Sequence, residues 1–266
     1  MAAKLNNHVE SGFTLVELSI VLVIIGLLIG GILVAQSMIR TASIQNFVRQ
    51  ISQFDVAVAN FQTKYNNKLP GDSSAFGCVT VTTNICDNGF IDDKDASSEP
   101  QTFTGETANF WPHLQASGFT PTGGGTFSNT VPASGFTTSG LTPNSPGLPL
   151  GNKTGIVGIS LRNSGGLPFA GAGNNYYMIG DYSAITPGNL FIFPTPSVPA
   201  ADALAVDLKM DNGKADGDLT TDSAVKDFAT PYFIGTCSDG TNYNVNDPTA
   251  YCELLIKMLS SSGMNK

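Results

Sequence analysis

Residues 12–35 read GFTLVELSIVLVIIGLLIGGILVA, and the apolar run from Phe13 to Ala35 contains one charged side chain, that of Glu17. At about 1.5 Å per residue, a helix over this run spans about 35 Å, which exceeds the roughly 30 Å hydrocarbon core of a bilayer. The run therefore predicts a transmembrane helix over residues 13–35. About 230 residues follow it, which is enough for one globular domain.

The segment before this helix is polar. Residues 1–12 read MAAKLNNHVESG and end in glycine. A secretory signal peptide instead places its apolar region before the cleavage site and small residues at that site. Because the order is inverted here, the sequence argues against an ordinary secretory signal peptide.

Glu17 places a carboxylate near the start of an otherwise apolar helix. An acid at the centre of a bilayer costs about 2.5 to 3.5 kcal/mol on insertion scales, and less near the interface. Glu17 is therefore either an acid tolerated at the interface or a buried charge that awaits a cation. An amine freed at Phe13 would be such a cation, and on neighbouring subunits the two charges would neutralise each other in a low dielectric.

The string Gly12-Phe13-Thr14-Leu15-Val16-Glu17-Leu18 resembles the processing motif of type IV prepilins and type II secretion pseudopilins. The resemblance implies that prepilin peptidase cuts between Gly12 and Phe13 and methylates the new amino-terminal Phe13. It also implies that Glu17 serves in filament assembly. Two features depart from the family pattern: Glu10 and Ser11 replace the basic residues often found before the glycine, and no proline interrupts the helix.

Past Ala35 the sequence becomes periodic. Apolar side chains recur at alternating spacings of three and four residues, which is typical of an amphipathic helix. No proline or glycine occurs from Ile32 to Leu69, so the membrane helix is predicted to continue to about Asn66. A coiled-coil seam is the alternative, but the aromatic side chains favour cover by a β-sheet. The stripe consists of Ile44, Phe47, Ile51, Phe54, Val58, Phe61 and Tyr65.

Residues 66–72, NNKLPGD, are predicted to end this helix, because Asn and Gly suit a helix carboxyl end and Pro cannot continue it. Leu-Pro-Gly-Asp after a long amphipathic helix also resembles a subset of prepilin-like proteins. In that subset a Gly/Asn/Asp turn and then a short helix with a Trp follow. Residues 87–91 and 110–114 match these two blocks, and residues 205–213 resemble a further one.

The remainder predicts a small antiparallel sheet. The β-type stretches at 155–161, 176–180 and 189–193 are short and bounded by Gly or Pro, and residues 251–259 are predicted to be a short helix or strand. Residues 118–151 are rich in Gly, Pro, Ser and Thr and predict an irregular insertion.

The predicted fold class is α+β, a long amino-terminal helix packed on a small antiparallel sheet domain with long loops, as in the lollipop shape of pilins. The predicted parts are a cleaved leader at 1–12, a transmembrane or filament-core helix at 13–35, an amphipathic helix at 36–66 and a disulfide-stapled globular domain at 67–266.

The four cysteines fall into two local pairs. Four cysteines allow three connectivities, and we predict the local one, Cys78 with Cys86 and Cys237 with Cys252. Neither pair has the spacing of a zinc knuckle, and His113 is the one histidine outside the leader. Disulfides indicate an oxidising compartment, the periplasm or the cell exterior.

Charge and motifs argue against several classes of function. The formal net charge is −8 and no basic run occurs, so nucleic-acid binding is not indicated. No sequence motif of a hydrolase, metalloprotease or nucleotide-binding enzyme is found, and a lone His113 beside Trp111 and Pro112 is more often structural, so we predict no enzyme and no required cofactor.

Two acidic loops are weak candidates for calcium binding, because crowded carboxylate oxygens suit that cation. Neither loop has the register of an EF-hand, and solvated turn carboxylates are the simpler interpretation. The first loop holds Asp87, Asp92, Asp93 and Asp95, the second holds Asp207, Asp211, Asp216 and Asp218, and the best candidate ligands are Asp87, Asp92, Asp211 and Asp216.

Three hypotheses about function follow. The first is a structural subunit of a type IV pilus-like filament. Its expected partners are other pilins, prepilin peptidase and an inner-membrane assembly platform. The second is a minor tip pilin or pseudopilin that binds a surface, DNA or a secreted protein, and the third is a periplasmic enzyme that uses the helix as a tether. In the first two, the chain spans the bacterial inner membrane once with a periplasmic domain, and then joins an extracellular pilus or periplasmic pseudopilus.

Overall fold

The computed structural model describes residues 12–76, 86–91, 105–120, 127, 145–150, 154–160, 175–183, 195–215, 225–227, 237–239 and 241–259. The chain divides into two compact units: Met1–Ser43, which we call the amino-terminal unit, and Ile44–Lys266, which we call the globular unit. The predicted strand at 189–193 and most of the predicted insertion at 118–151 lie outside the described residues.

Helix α1 comprises Leu15–Lys64 and contributes to both units. It is continuous, as its sequence predicts, and it ends two residues before the predicted Asn66. Asn66 and Asn67 have positive φ angles of 54° and 65°, and Gly71 follows with φ 90°. Asn and Gly tolerate this left-handed backbone best, which explains why the helix stops here.

In the globular unit, the predicted apolar stripe of α1 is buried from Ile44 to Phe61. The Phe54 ring lies 6.2 Å from the ring of Tyr177 in the sheet and 5.0 Å from the ring of Trp111 in helix α2 (Gly105–Ser117), measured between centroids. The predicted cover by a sheet is therefore confirmed, and a helix that the stripe alone did not indicate shares in it.

The main sheet has four antiparallel strands in the order β1-β2-β6-β4. The strands β1 and β2 pair along seven residues each, with Gly158 opposite Tyr177. A second, two-stranded sheet pairs β3 with β5. The strands are β1 (Thr154–Ser160), β2 (Asn175–Asp181), β3 (Val198–Pro199), β4 (Val225–Asp227), β5 (Tyr251–Cys252) and β6 (Leu254–Lys257).

Helix α2 packs against β1 through two specific contacts. The Trp111 indole N–H donates to the carbonyl of Ile156 at 2.8 Å. The Phe110 ring lies over Gly158, where an added Cβ would come within 2.7 Å of the ring, so the close approach requires glycine. The predicted short helix around Trp111 is thus confirmed and lies on the sheet.

Two elements were not predicted. Helix α3 (Ala200–Met210) includes most of the block at 205–213, to which the sequence assigned no secondary structure, and strand β4 was also missed. The segment 251–259 was predicted to be a short helix or strand, and it contains the strands β5 and β6. A long amino-terminal helix with a small antiparallel sheet confirms the predicted α+β class.

Candidate functional site

The predicted processing junction lies just before helix α1. Gly12, Phe13 and Thr14 are not helical, and the helix begins at Leu15. The Phe13 side chain is 91% exposed. The peptide bond between Gly12 and Phe13 is therefore outside the helical hydrogen-bond ladder, and both of its residues are exposed among the described residues.

Glu17 has a partner within its own chain. Its carboxylate accepts hydrogen bonds from the Thr14 backbone N–H and hydroxyl, both at 2.8 Å, and the Thr14 hydroxyl accepts from the Glu17 N–H at 3.2 Å. This reciprocal arrangement is a capping box, which satisfies N–H groups that the first helical turn leaves unpaired. This capping box was not predicted, although Thr-x-x-Glu is its sequence signature.

The rest of the amino-terminal unit combines exposed apolar side chains with hydroxyls that bond to their own helix. Ser19 donates to the Val16 carbonyl at 2.9 Å and Ser37 to the Val34 carbonyl at 2.8 Å. Among the described residues, α1 is the one helix long and apolar enough to cross a membrane. An apolar surface of this kind with internally satisfied hydroxyls suits a bilayer or a bundle of helices.

Cys237 and Cys252 form a disulfide, with their Cα atoms 4.9 Å apart. The bond holds the loop before β5 to that strand, where Cys252 is fully buried. Cys86 is also disulfide-bonded, and its predicted partner Cys78 lies outside the described residues.

Asp87, the described member of the first acidic loop, is bound by protein groups. Its carboxylate lies 3.1 Å from the Lys68 ammonium and accepts from the Ser74 N–H at 3.1 Å and hydroxyl at 2.7 Å. The Ser74 and Lys68 contacts lower the pKa of Asp87 against the opposing effect of desolvation. Asp92, Asp93 and Asp95 lie outside the described residues.

In the second acidic loop, Asp207 is a buried structural acceptor. It accepts from the Tyr243 hydroxyl at 2.9 Å and from the Gly213 N–H at 3.1 Å, and burial raises its pKa. The N–H of Asp211 donates to the Asp207 carbonyl at 2.6 Å, and Asp216 and Asp218 lie outside the described residues. Within the described ranges no cluster of three His, Cys, Asp or Glu side chains could hold a metal. Calcium binding stays a prediction.

His113 is buried and its Nδ1 accepts the Gly71 N–H at 3.0 Å. Burial lowers its pKa to about 4, so the imidazole is neutral near pH 7. A neutral ring that holds a backbone N–H fits the predicted structural role.

Two carboxyl groups, those of Asp55 and Glu253, are buried in the globular unit, the first with hydrogen-bond partners and the second without them. Asp55 of α1 accepts from the Tyr177 hydroxyl and the Leu259 N–H, each at 3.3 Å, and burial raises its pKa to about 6. Glu253, between β5 and β6, is 2% exposed, and neither of its carboxyl oxygens has a hydrogen-bond partner. Burial raises the pKa of Glu253 well above its usual value. Hydropathy alone did not indicate either group.

A family model described as the prokaryotic N-terminal methylation motif matches residues 7–33. This motif is the prepilin-type signal of type IV pilins and pseudopilins. The match includes the Gly12–Phe13 junction and Glu17, which the sequence analysis singled out. No curated protein and no solved structure matches the chain.

Proposed function

We propose that this chain is the precursor of a structural subunit of a type IV pilus-like filament. Prepilin peptidase cuts it between Gly12 and Phe13 and methylates the new amino terminus. The methylation motif at residues 7–33 carries the proposal, because it is the signal that this peptidase processes. The exposed, non-helical junction is consistent with access by the enzyme. In this proposal the chain has no catalytic activity of its own.

The exposed apolar surface of the amino-terminal unit supports two successive locations. Before assembly, the helix anchors the chain in the inner membrane with the globular unit in the periplasm, and the assembly platform receives it there. After assembly, the same surface packs against the helices of other subunits. Burying apolar surface is worth about 25 cal/mol per Å², and a helix with this exposed surface is stable only in one of these two settings.

Glu17 has a separate role in this proposal. Cleavage creates a positively charged amine at Phe13, and the carboxylate of Glu17 on a neighbouring subunit neutralises it as both leave water. In the uncut chain the same carboxylate is occupied by Thr14. The amine must therefore compete with the Thr14 capping box, so the pairing is favoured where a second subunit and low dielectric are both present.

The cleavage proposal is tested by mass spectrometry of the chain purified from cells that contain the peptidase. A chain that begins with N-methylated Phe13 is expected. A chain that still carries residues 1–12 in such cells would overturn the proposal. The same measurement in cells without the peptidase supplies the uncut reference.

The pairing role is tested by Glu17→Gln, which removes the charge and retains the shape. Membrane insertion is expected to be normal and filament yield to fall at least tenfold. Ser37→Ala is the matched control, because the Ser37 hydroxyl bonds only within its helix and carries no charge. Normal filaments from Glu17→Gln would contradict the pairing.

A minor tip pilin or a pseudopilin is the second candidate. It is favoured by the chain length of 266 residues, which is larger than a minimal pseudopilin needs, and by the Gly/Pro/Ser/Thr-rich stretch at 118–151. Quantifying the chain in purified filaments separates the two. A shaft subunit dominates the filament protein, whereas a tip subunit amounts to a few copies per filament.

A further inference from the structure

Glu253 is the single residue between β5 and β6, and so between the two sheets of the globular unit. On its amino-terminal side, Cys252 pairs with Val198 of β3. On its carboxyl-terminal side, Leu254 pairs with Ile179 of β2. The chain therefore passes at Glu253 directly from the β3–β5 pair, which we call the ribbon, into the main sheet.

The Glu253 side chain is buried at this join without a hydrogen bond. It is 2% exposed, and neither carboxyl oxygen has a partner. Burying an ionised carboxylate without a hydrogen bond or a countercharge costs far more than burying the neutral acid. The closed join therefore favours the protonated form of Glu253.

The groups around the join do not change this preference. The Tyr182 hydroxyl, just after β2, donates to the Met178 carbonyl at 2.8 Å, and burial, followed by Glu253, raises the pKa of Tyr182 well above its usual value. The pKa of Glu253 is raised by burial. Strand β4 pairs with β6 and carries one positive and one negative residue, so it adds no net charge. The charged residues of β2, α3 and β6 in the described structure do not contribute to the shift at Glu253, and they are Asp181, Asp202, Asp207, Lys209 and Lys257.

The ribbon is held by fewer backbone hydrogen bonds than the main sheet. Its two strands have two residues each, whereas β1 and β2 pair along seven. The Ser197 N–H donates to the Cys252 carbonyl at 3.1 Å. The Ala200 N–H donates to the Ala250 carbonyl at 3.0 Å. A short two-stranded pair opens more readily than a four-stranded sheet, and its opening would bring Glu253 into water.

We propose that Glu253 is a pH-sensitive switch for the ribbon. The ribbon is closed while the Glu253 carboxyl group keeps its proton, and it opens locally when that proton is lost to water. The disulfide between Cys237 and Cys252 keeps β5 attached to the preceding loop in the open form. The proposal concerns the globular unit and does not depend on the filament role.

The direction of the pH dependence follows from the two forms of the ribbon. In the open form Glu253 has an ordinary carboxyl pKa, and in the closed form burial raises its pKa. The closed form is therefore fully stabilised below the ordinary pKa, and this stabilisation is lost as pH rises toward the raised pKa. Between the two values opening releases one proton, so the opening constant rises up to tenfold per pH unit.

Amide hydrogen exchange in the full chain, held in detergent micelles, tests the switch between pH 5.5 and 7. After correction for intrinsic exchange, the opening constants of the Ser197 and Ala200 amides are expected to rise up to tenfold per pH unit. The Ser160 amide of β1 donates to the Ile91 carbonyl at 2.7 Å and reports on the main sheet, so its opening constant should be smaller. Equal opening constants at Ser160 and in the ribbon, or ribbon amides that do not respond to pH, would overturn the proposal.

Glu253→Gln is the decisive variant, because its side chain cannot ionise. In this variant the pH dependence of the Ser197 and Ala200 amides should disappear. Asp247→Asn is the matched control, because it removes one charge from the turn before β5, where the Asp247 carboxylate accepts from the Thr249 N–H and hydroxyl, and it should retain the pH dependence. The opposite result in either variant would contradict the assignment to Glu253.

A second measurement covers the case in which Glu253→Gln does not fold. The carboxyl ¹³C shift of Glu253 in the original chain reports its ionisation directly. Titration well above the ordinary glutamate value of about 4.3 supports the switch. Titration at that ordinary value with the ribbon amides still protected would exclude it.

Discussion

The amino-terminal and globular units satisfy their polar groups in opposite ways. In the amino-terminal unit, Glu17 and Ser19 bond to groups three residues before them in the chain. In the globular unit, Asp55 accepts from Leu259, 204 residues away, and Asp207 accepts from Tyr243. Among the described residues, the first unit leaves its apolar side chains exposed, whereas the second buries most of them.

This difference shows which unit depends on its surroundings. The hydrogen bonds of the amino-terminal unit are local and need no fold, so a membrane or neighbouring helices can supply all of its apolar contacts. The globular unit carries its own core and its own long-range hydrogen bonds. Variants of the globular unit should therefore change unfolding, and variants of the amino-terminal unit should change assembly.

The largest effect is expected from Phe54→Ala, which removes a fully buried ring between Trp111 and Tyr177. The loss of buried area and the cavity left behind should lower the free energy of unfolding by about 3–5 kcal/mol. Urea unfolding followed by Trp111 fluorescence measures it. Val56→Ala, at a 60% exposed site two residues along α1, should change it by less than about 0.5 kcal/mol. Equal changes in the free energy of unfolding for Phe54→Ala and Val56→Ala would contradict the contrast between the buried and exposed faces of α1.

The second largest effect on stability is expected from removal of the disulfide between Cys237 and Cys252. It closes a loop with a sequence separation of 15, for which chain entropy predicts about 3 kcal/mol of stability. The double variant Cys237→Ala/Cys252→Ala should lose that amount in urea unfolding under non-reducing conditions. Membrane insertion of the amino-terminal unit should be unchanged, and failure to insert would show that the two units are not independent.

The third prediction concerns the pH dependence of the stability of the globular unit, to which the buried Glu253 contributes. Its folded-state pKa is raised by burial, so its contribution to stability is present at low pH and is lost as pH rises toward that pKa. Glu253→Gln cannot ionise, so its free energy of unfolding should fall less between pH 5 and pH 8 than that of the original chain, by about 1.4 kcal/mol or more, the free energy that corresponds to one pKa unit. Free energies of unfolding of both proteins at pH 5 and pH 8 measure it. Parallel pH dependence of the two proteins would refute an uncharged buried Glu253.

The smallest effect is expected at the helix cap. Thr14→Ala removes the acceptor of the Glu17 N–H and should destabilise the first turn by about 1 kcal/mol. The Glu17 amide should then exchange about fivefold faster in the full chain in micelles. Thr14→Ser retains the hydroxyl and should exchange like the original chain. Slower or equal exchange in Thr14→Ala would exclude the capping box.

Much of α1 could be predicted from the sequence, because its signals are local. The apolar run, the stripe at alternating spacings of three and four residues and the Asn-Asn stop each depend on neighbours within a few positions. Strands β1 and β2 were also predicted within one residue at each of their four ends. Helix α3 was missed, because half of its apolar residues are alanine and give a weak periodic signal.

The functional residues likewise divide into those that the local sequence identifies and those that only the fold brings together. The Gly12–Phe13 junction and Glu17 could be identified from their own segment, and the capping box with Thr14 could have been. The contact of the Asp72 carboxyl group with the N–H groups of Asn88 and Gly89 could not, because these hydrogen bonds join blocks that only the fold brings together.

The sequence by itself determined the apolar helix, its processing motif, the amphipathic stripe and the turn that ends the helix. Local backbone preferences and helical periodicity determine these, and both act over a few residues. Only the tertiary structure decided which carboxyl groups are buried and what they contact. Asp55 accepts from the Leu259 N–H after β6, Asp72 accepts from the Asn88 and Gly89 N–H groups, and Glu253 has no hydrogen-bond partner for either carboxyl oxygen. Burial depends on segments far apart in the chain, and the energetic cost of a carboxyl group changes from small to several kcal/mol with that burial.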